Sequence, residues 1–177
     1  MVIALGKRAV YCVALLPLAL GSLLAVFAGR SPVAVRWWSR LRSGLLGGTA
    51  PAPVPPPGPL VVAGHALLTV LLGLTALIPL GLILAFVVRG VCYGLVDPGP
   101  YDHSWGGPSR AGAWAAHFLI GLPIAVVALL LLAGLAAVHD RLSGLLAGRR
   151  PARWVLPVSL TAPLPAVLFF VAWLHQL

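Results

Sequence analysis

Four stretches of this chain, 9–29, 60–88, 111–139 and 154–177, contain no Asp, Glu, Lys or Arg, and each runs for more than twenty residues. A bilayer's hydrocarbon core is about 30 Å thick and is crossed by roughly 20 helical residues. Four charge-free runs of that length leave few folds open. The chain is expected to be all-α: an integral membrane protein built as a bundle of four transmembrane helices. The spans are placed at about 9–29, 60–88, 113–138 and 154–174, in one membrane domain covering 1–177.

Composition closes the alternative of a water-soluble fold. Charged residues make up only 8% of the 177 and hydrophobic residues 60%, whereas a soluble surface draws on roughly 25% charged residues. The net charge is +9, from 12 Lys and Arg against 3 Asp and Glu. The basic residues sit between the apolar runs rather than on a folded reading surface. Anionic headgroups are therefore the expected partner and nucleic acid is not. Lys7 is the single lysine beside many arginines, alanines and prolines, a usage that points to a GC-rich bacterial genome.

Each span carries proline: Pro17, Pro79, Pro123, and then Pro157, Pro163 and Pro165 together. Bends are expected there, most in the fourth. Lys7 and Arg8 followed by an apolar run, with Ala19, Leu20, Gly21 and Ser22 as a passable cleavage site, have the outline of a signal peptide. The run stays apolar past that site, which favours a span.

Orientation follows the loops. Segment 30–59 carries Arg30, Arg36, Arg40 and Arg42, and segment 140–153 carries Arg141, Arg149, Arg150 and Arg153. Placing both in the cytoplasm puts both termini outside the cell membrane, with Lys7 and Arg8 working against that placement.

Between the first two spans, Ser31 and Pro32 read as a helix start and Gly47–Gly48 as a stop. The expected product is an interfacial amphipathic helix over 32–46. Trp37, Trp38, Leu41 and Leu45 would lie largely on one side and Arg36 and Arg40 on another, with Trp at headgroup depth. Arg36, Trp37, Trp38, Arg40 and Arg42 form the candidate inner site for headgroups or a protein partner. An ordinary basic loop also fits. Six of the nine residues in 51–59 are proline, which reads as a stiff extended linker.

The outer loop, 89–112, is the most distinctive polar segment. Asp97, Tyr101, Asp102, His103 and Trp105 form a candidate outer ligand site on a turn-rich scaffold. His103 beside Asp102 would suit a pH response or a metal. An interfacial turn with Tyr101 and Trp105 in the aromatic belt is the plainer reading.

Cys12 and Cys92 fall near the outer ends of the first two spans. A disulfide there is open, beside the alternative of two free thiols. His65 with His139, and His117 with His175, form two transverse pairs, a spacing that would also suit axial haem ligands. Histidines reaching headgroups explain it as well.

No charged side chain lies within a span, and no Walker loop, His-Glu-x-x-His or Cys-x-x-Cys motif is present. Ser104 and Ser109 near His103 do not make a nucleophile. The chain is read as non-enzymatic, with no cofactor.

Residues 43–48 (SGLLGG) recur as 143–148 (SGLLAG), each after a span and a short Arg-bearing stretch, which would fit two parallel repeats. Segment 119–148, LIGLPIAVVALLLLAGLAAVHDRLSGLLAG, resembles the multi-pass membrane sensor domain that precedes the kinase in many bacterial histidine kinases. Segment 15–48 is a weaker second instance. No phosphoacceptor or ATP-binding region follows. The resemblance implies a sensor-like or scaffold module that acts through a protein partner or as a homo-oligomer. A small transporter or channel component, complete only as an oligomer, is the alternative.

Overall fold

The computed structural model describes residues 2–47 and 56–175, and every regular element among them is helical. In chain order these are α1 (Val2–Phe27), α2 (Ser31–Leu46), α3 (Pro59–Phe86), α4 (Tyr93–Val96), α5 (Arg110–Leu142), α6 (Val155–Thr161) and α7 (Pro163–Leu174). A turn of π-helix, Val87–Val91, follows α3, and a 3₁₀ turn, Ser143–Ala147, follows α5.

Four helical runs are long and apolar enough to cross a membrane: Ile3–Phe27, Pro59–Val91, Arg110–Ala147 and Val155–Leu174. These are the four charge-free stretches with their ends moved. Helix continues through charged residues wherever the backbone can keep its hydrogen-bond ladder. Lys7 and Arg8 therefore sit on α1, exposed. Arg89 falls within the π turn rather than starting a loop. The segment between the second and third spans is correspondingly shorter than 89–112, and α4 occupies part of it. Pro17, Pro79 and Pro123 are accommodated inside continuous helices, whereas the fourth run breaks at Ala162, where Pro163 begins α7. Large apolar side chains cover the outside, Leu60 and Leu168 among them. Of the proline-rich linker, 51–55 lie outside the described residues. Pro56, Pro57 and Gly58 have no regular structure, and Pro59 opens α3.

The chain divides into two compact units, Met1–Ile78 with Leu132–Leu177, and Pro79–Leu131. In the first, α1 ends in a Schellman motif. Gly29 takes φ 70°, its N–H donates to the Val26 carbonyl, and the Arg30 N–H donates to the Ala25 carbonyl. This left-handed residue is what glycine allows cheaply. It turns the chain within three residues, and a connection that short makes the two helices antiparallel neighbours.

Helix α2 therefore returns along the second half of α1, with Trp37 against Gly21 and Trp38 against Ser22. Helix α2 is docked on the bundle and buries Ser31, Ala34 and Trp38. Its ends are where the residues place them, with Pro32 in the first turn and Gly47 closing it at φ 74°, although no side chain caps its start. A left-handed glycine follows each SGLL stretch, but one residue out of register: Gly47 directly after 43–46, and Gly148 after Ala147.

Helices α1 and α3 meet where α3 has no side chain. A Cβ on Gly73 would lie 2.9 Å from the Leu16 nitrogen and 3.0 Å from its Cα. The obstacle is backbone, which cannot swing aside as a side-chain tip can. Gly73→Ala is expected to cost about 1–3 kcal/mol by overpacking. Gly64→Ala, on the same helix with nothing within 4 Å, should be neutral or slightly stabilising. Thermal midpoints in detergent micelles compare the two, and equal midpoints would contradict the close approach.

In the second unit, Trp114 of α5 donates its indole N–H to the carbonyls of Gly90 and Val91. Those carbonyls are freed by the widened π turn, so the indole supplies a donor the helix itself no longer provides.

Candidate functional site

Four helical segments of the first unit bring their few polar side chains to one buried place. Stripe residues Tyr11, Leu15, Ala19 and Ser22 of α1 face inward at helical spacing. To them come Trp38 from α2, His65 and Thr69 from α3, His139 from the end of α5 and Ser143 from the 3₁₀ turn that follows it. Tyr11, Ser22, Trp38, His65, Thr69 and His139 are all 0% exposed.

The hydrogen bonds have a determined direction. Thr69 Oγ1 donates to the His65 carbonyl, four residues back, and Ser143 Oγ donates to the His139 carbonyl. Each hydroxyl has then spent its hydrogen and can only accept. It follows that His139 Nε2 carries a hydrogen and donates to Thr69 Oγ1 at 3.1 Å, and that His65 Nε2 donates to Ser143 Oγ at 3.3 Å. His139 Nδ1 is left as an acceptor and takes the Tyr11 hydroxyl at 2.6 Å. Trp38 Nε1 donates to Ser22 Oγ, which donates to the Leu18 carbonyl. The arrangement is reciprocal: each histidine donates to the hydroxyl four residues beyond the other. His65 Nδ1 alone, among the described residues, is a buried side-chain nitrogen or oxygen with no partner.

The rings pack as well as bond. Trp38 lies 4.8 Å from the His139 ring and 5.4 Å, edge-on, from His65, and the two imidazoles are 5.1 Å apart in a T. The sequence pairs His65 with His139, and the structure does bring them together. Their contact with each other and with Trp38 leaves no room for a porphyrin between them, so the haem arrangement is not met. The rings act as donors and packing surfaces instead.

At the edge of the cluster, Arg42 Nη2 and Nε both donate to Asp140 Oδ1, at 2.6 and 2.9 Å. The Asp140 side chain is 45% exposed, so solvent screening holds this pair to about 1 kcal/mol or less. Arg141 lies over the Trp154 ring at 5.4 Å and tethers the approach to α6.

The five residues of the candidate inner site thus divide. Trp38 and Arg42 face the bundle, while Arg36, Trp37 and Arg40 are exposed. Trp38 is fully buried, whereas Trp37 leans on Gly21 of α1 and stays 38% exposed. Neighbours on a helix point about 100° apart, and only one of them can enter the core.

The outer five do not converge. Asp97 and Tyr101 build a turn, in which the Gly99 amide donates to Asp97 Oδ1 at 3.0 Å and the Tyr101 hydroxyl donates to the Asp97 carbonyl. The Gly99 amide, with the Tyr93 hydroxyl, holds the Asp97 carboxyl below the usual carboxylate range. Asp102, His103 and Trp105 are exposed. No group of three or more His, Cys, Asp or Glu able to hold a metal occurs among the described residues.

Tyr93 and His117, which the loop reading passed over, stack at 4.0 Å and 14°. Both cysteines are free rather than bridged: Cys12 is buried and its thiol donates to the Leu132 carbonyl, and Cys92 is half-buried.

No family model, curated protein or solved structure matches the chain.

Proposed function

We propose that this chain is a non-enzymatic multi-pass membrane protein, a sensor-like or scaffold module whose output surface is α2. The observation that carries the reading is the two-sidedness of that helix. Trp38 and the Arg42–Asp140 pair hold one side to the spans, while Arg36 and Arg40 are exposed. A helix fixed on one side and basic on the other is suited to passing a rearrangement of the spans to an acidic surface. The likeness of 119–148 to kinase-linked membrane sensors supports the same reading, because that segment contains His139 and Asp140, which meet Trp38 and Arg42 of α2. In this reading the Arg-bearing segments 30–59 and 140–153 face the cytoplasm, which the excess of arginine in them favours.

The test is in-cell photocrosslinking from positions 36 and 40, with a probe at exposed Leu168 as control. A protein captured from 36 and 40 and not from 168 is the expected outcome. Recovery of lipid alone from all three positions would overturn the partner-signalling reading, as would solute flux through the purified protein in liposomes.

A further inference from the structure

The second unit contains a cavity of about 320 Å³ that the preceding reading leaves unused. Leu82 and Phe86 of α3 and Ile120 and Ile124 of α5 contribute apolar walls, while Arg89 and Trp105 also line it. That volume is at the lower bound of ligand sites, which run from about 300 to 1,000 Å³.

The local sequence explains why the space exists. A Cβ at Gly90 or at Gly121 would fall 2.6 Å from the Phe86 ring, so these two glycines leave room for that ring beside α5. Phe118 packs against it at 5.6 Å. The π turn widens the backbone at Val87–Val91 and carries Arg89, and such turns are often found at functional sites.

The chemistry of the lining is one-signed. Arg89 is the one charged side chain of the lining, no carboxylate joins it, and the other polar side-chain groups are the His117 ring and the Trp105 indole. The His117 Nδ1 donates to the Ala113 carbonyl at 2.8 Å, which is the only role a hydrogen-bonded carbonyl permits, and its ring is held against Tyr93. Arg89 lies two residues from the end of an apolar run long enough to span, where a guanidinium meets the headgroup layer.

We infer that this cavity binds an anionic amphiphile, its apolar chain between Phe86 and Ile124 and its anionic head on Arg89. The inference rests on the membrane-spanning part of the proposed function, and is independent of what α2 does. The shared chemistry is a chain with a carboxylate or phosphodiester head, drawn from free fatty acid or from a bilayer lipid.

The test uses the purified full chain in neutral detergent, a diazirine-bearing long-chain fatty acid, and the alcohol of the same chain. Labelled positions are mapped by mass spectrometry. The acid is expected to label 82–90 and 117–124, and the alcohol much less. Arg89→Gln should reduce acid labelling by about tenfold or more, the loss of one charge-assisted hydrogen bond. Ala85→Trp, at an exposed lining position, should block labelling with the fold intact. Competition by unlabelled fatty acid but not by phosphatidylglycerol identifies a free acid as the ligand, and the converse identifies a bilayer lipid. Equal labelling by acid and alcohol, or labelling spread along all four apolar runs, overturns the site. Capture of a protein partner from α2 is read separately, so either proposal can fail alone.

Discussion

Trp38→Ala is expected to cost about 3–5 kcal/mol, the usual range for emptying a buried aromatic position, and to release α2 from the bundle. The ring is fully buried, touches both His65 and His139, and donates its indole N–H to Ser22. The Arg42–Asp140 pair is too exposed to hold the helix by itself. Truncation therefore removes most of what joins α2 to α3 and α5. Trp38→Phe keeps much of the ring and loses the N–H, so it should cost roughly 0.5–1.5 kcal/mol from the bond, plus a small packing loss. Trp37→Ala is the control, since that ring is 38% exposed and leans on Gly21.

Two measurements check this: thermal unfolding in micelles, and trypsin cleavage at Arg36, Arg40 and Arg42, which should accelerate in Trp38→Ala alone. Similar behaviour of Trp37→Ala and Trp38→Ala would mean that α2 is not docked through Trp38.

The long helices were legible because the absence of charge along a run is a local property that needs no knowledge of neighbours. The ends of α2 were legible for the same reason, since Pro32 and Gly47 act on their own backbone. Which face of α2 turns inward was not. Trp37 and Trp38 are equally apolar, and the choice between them is made by the position of Ser22 across a turn set by Gly29.

The polar cluster did leave a trace. A histidine followed four residues later by a hydroxyl occurs at 65 and 69 and again at 139 and 143. The spacing becomes meaningful only when α3 and α5 lie side by side, so each histidine reaches the other's hydroxyl. Taken alone, two histidines near one membrane face fit cofactor ligands as well as they fit a hydrogen-bonded core. The outer loop was legible only as residue types. Its residue types were suggestive, but Asp97 and Tyr101 are spent on their own turn.

The reciprocal bonding has a consequence that separates it from a merely apolar core. His139→Ala is expected to cost about 3–5 kcal/mol, combining a cavity with the orphaned Tyr11 hydroxyl, whose sole acceptor is His139 Nδ1. Thr69 should lose less, because its own hydrogen stays on the His65 carbonyl and an oxygen without an incoming donor is the milder defect. Tyr11→Phe alone should cost roughly 0.5–1.5 kcal/mol, the net worth of one hydrogen bond. The double variant should then be more stable than the sum of the two losses implies, because removing both partners leaves no buried donor unpaired. A coupling of about 1 kcal/mol or more in the double-mutant cycle, read from unfolding midpoints in the same micelles, is the expected result. Strict additivity would show that Tyr11 and His139 contribute separately, and the directed chain from Tyr11 through His139 to Thr69 would have to be abandoned.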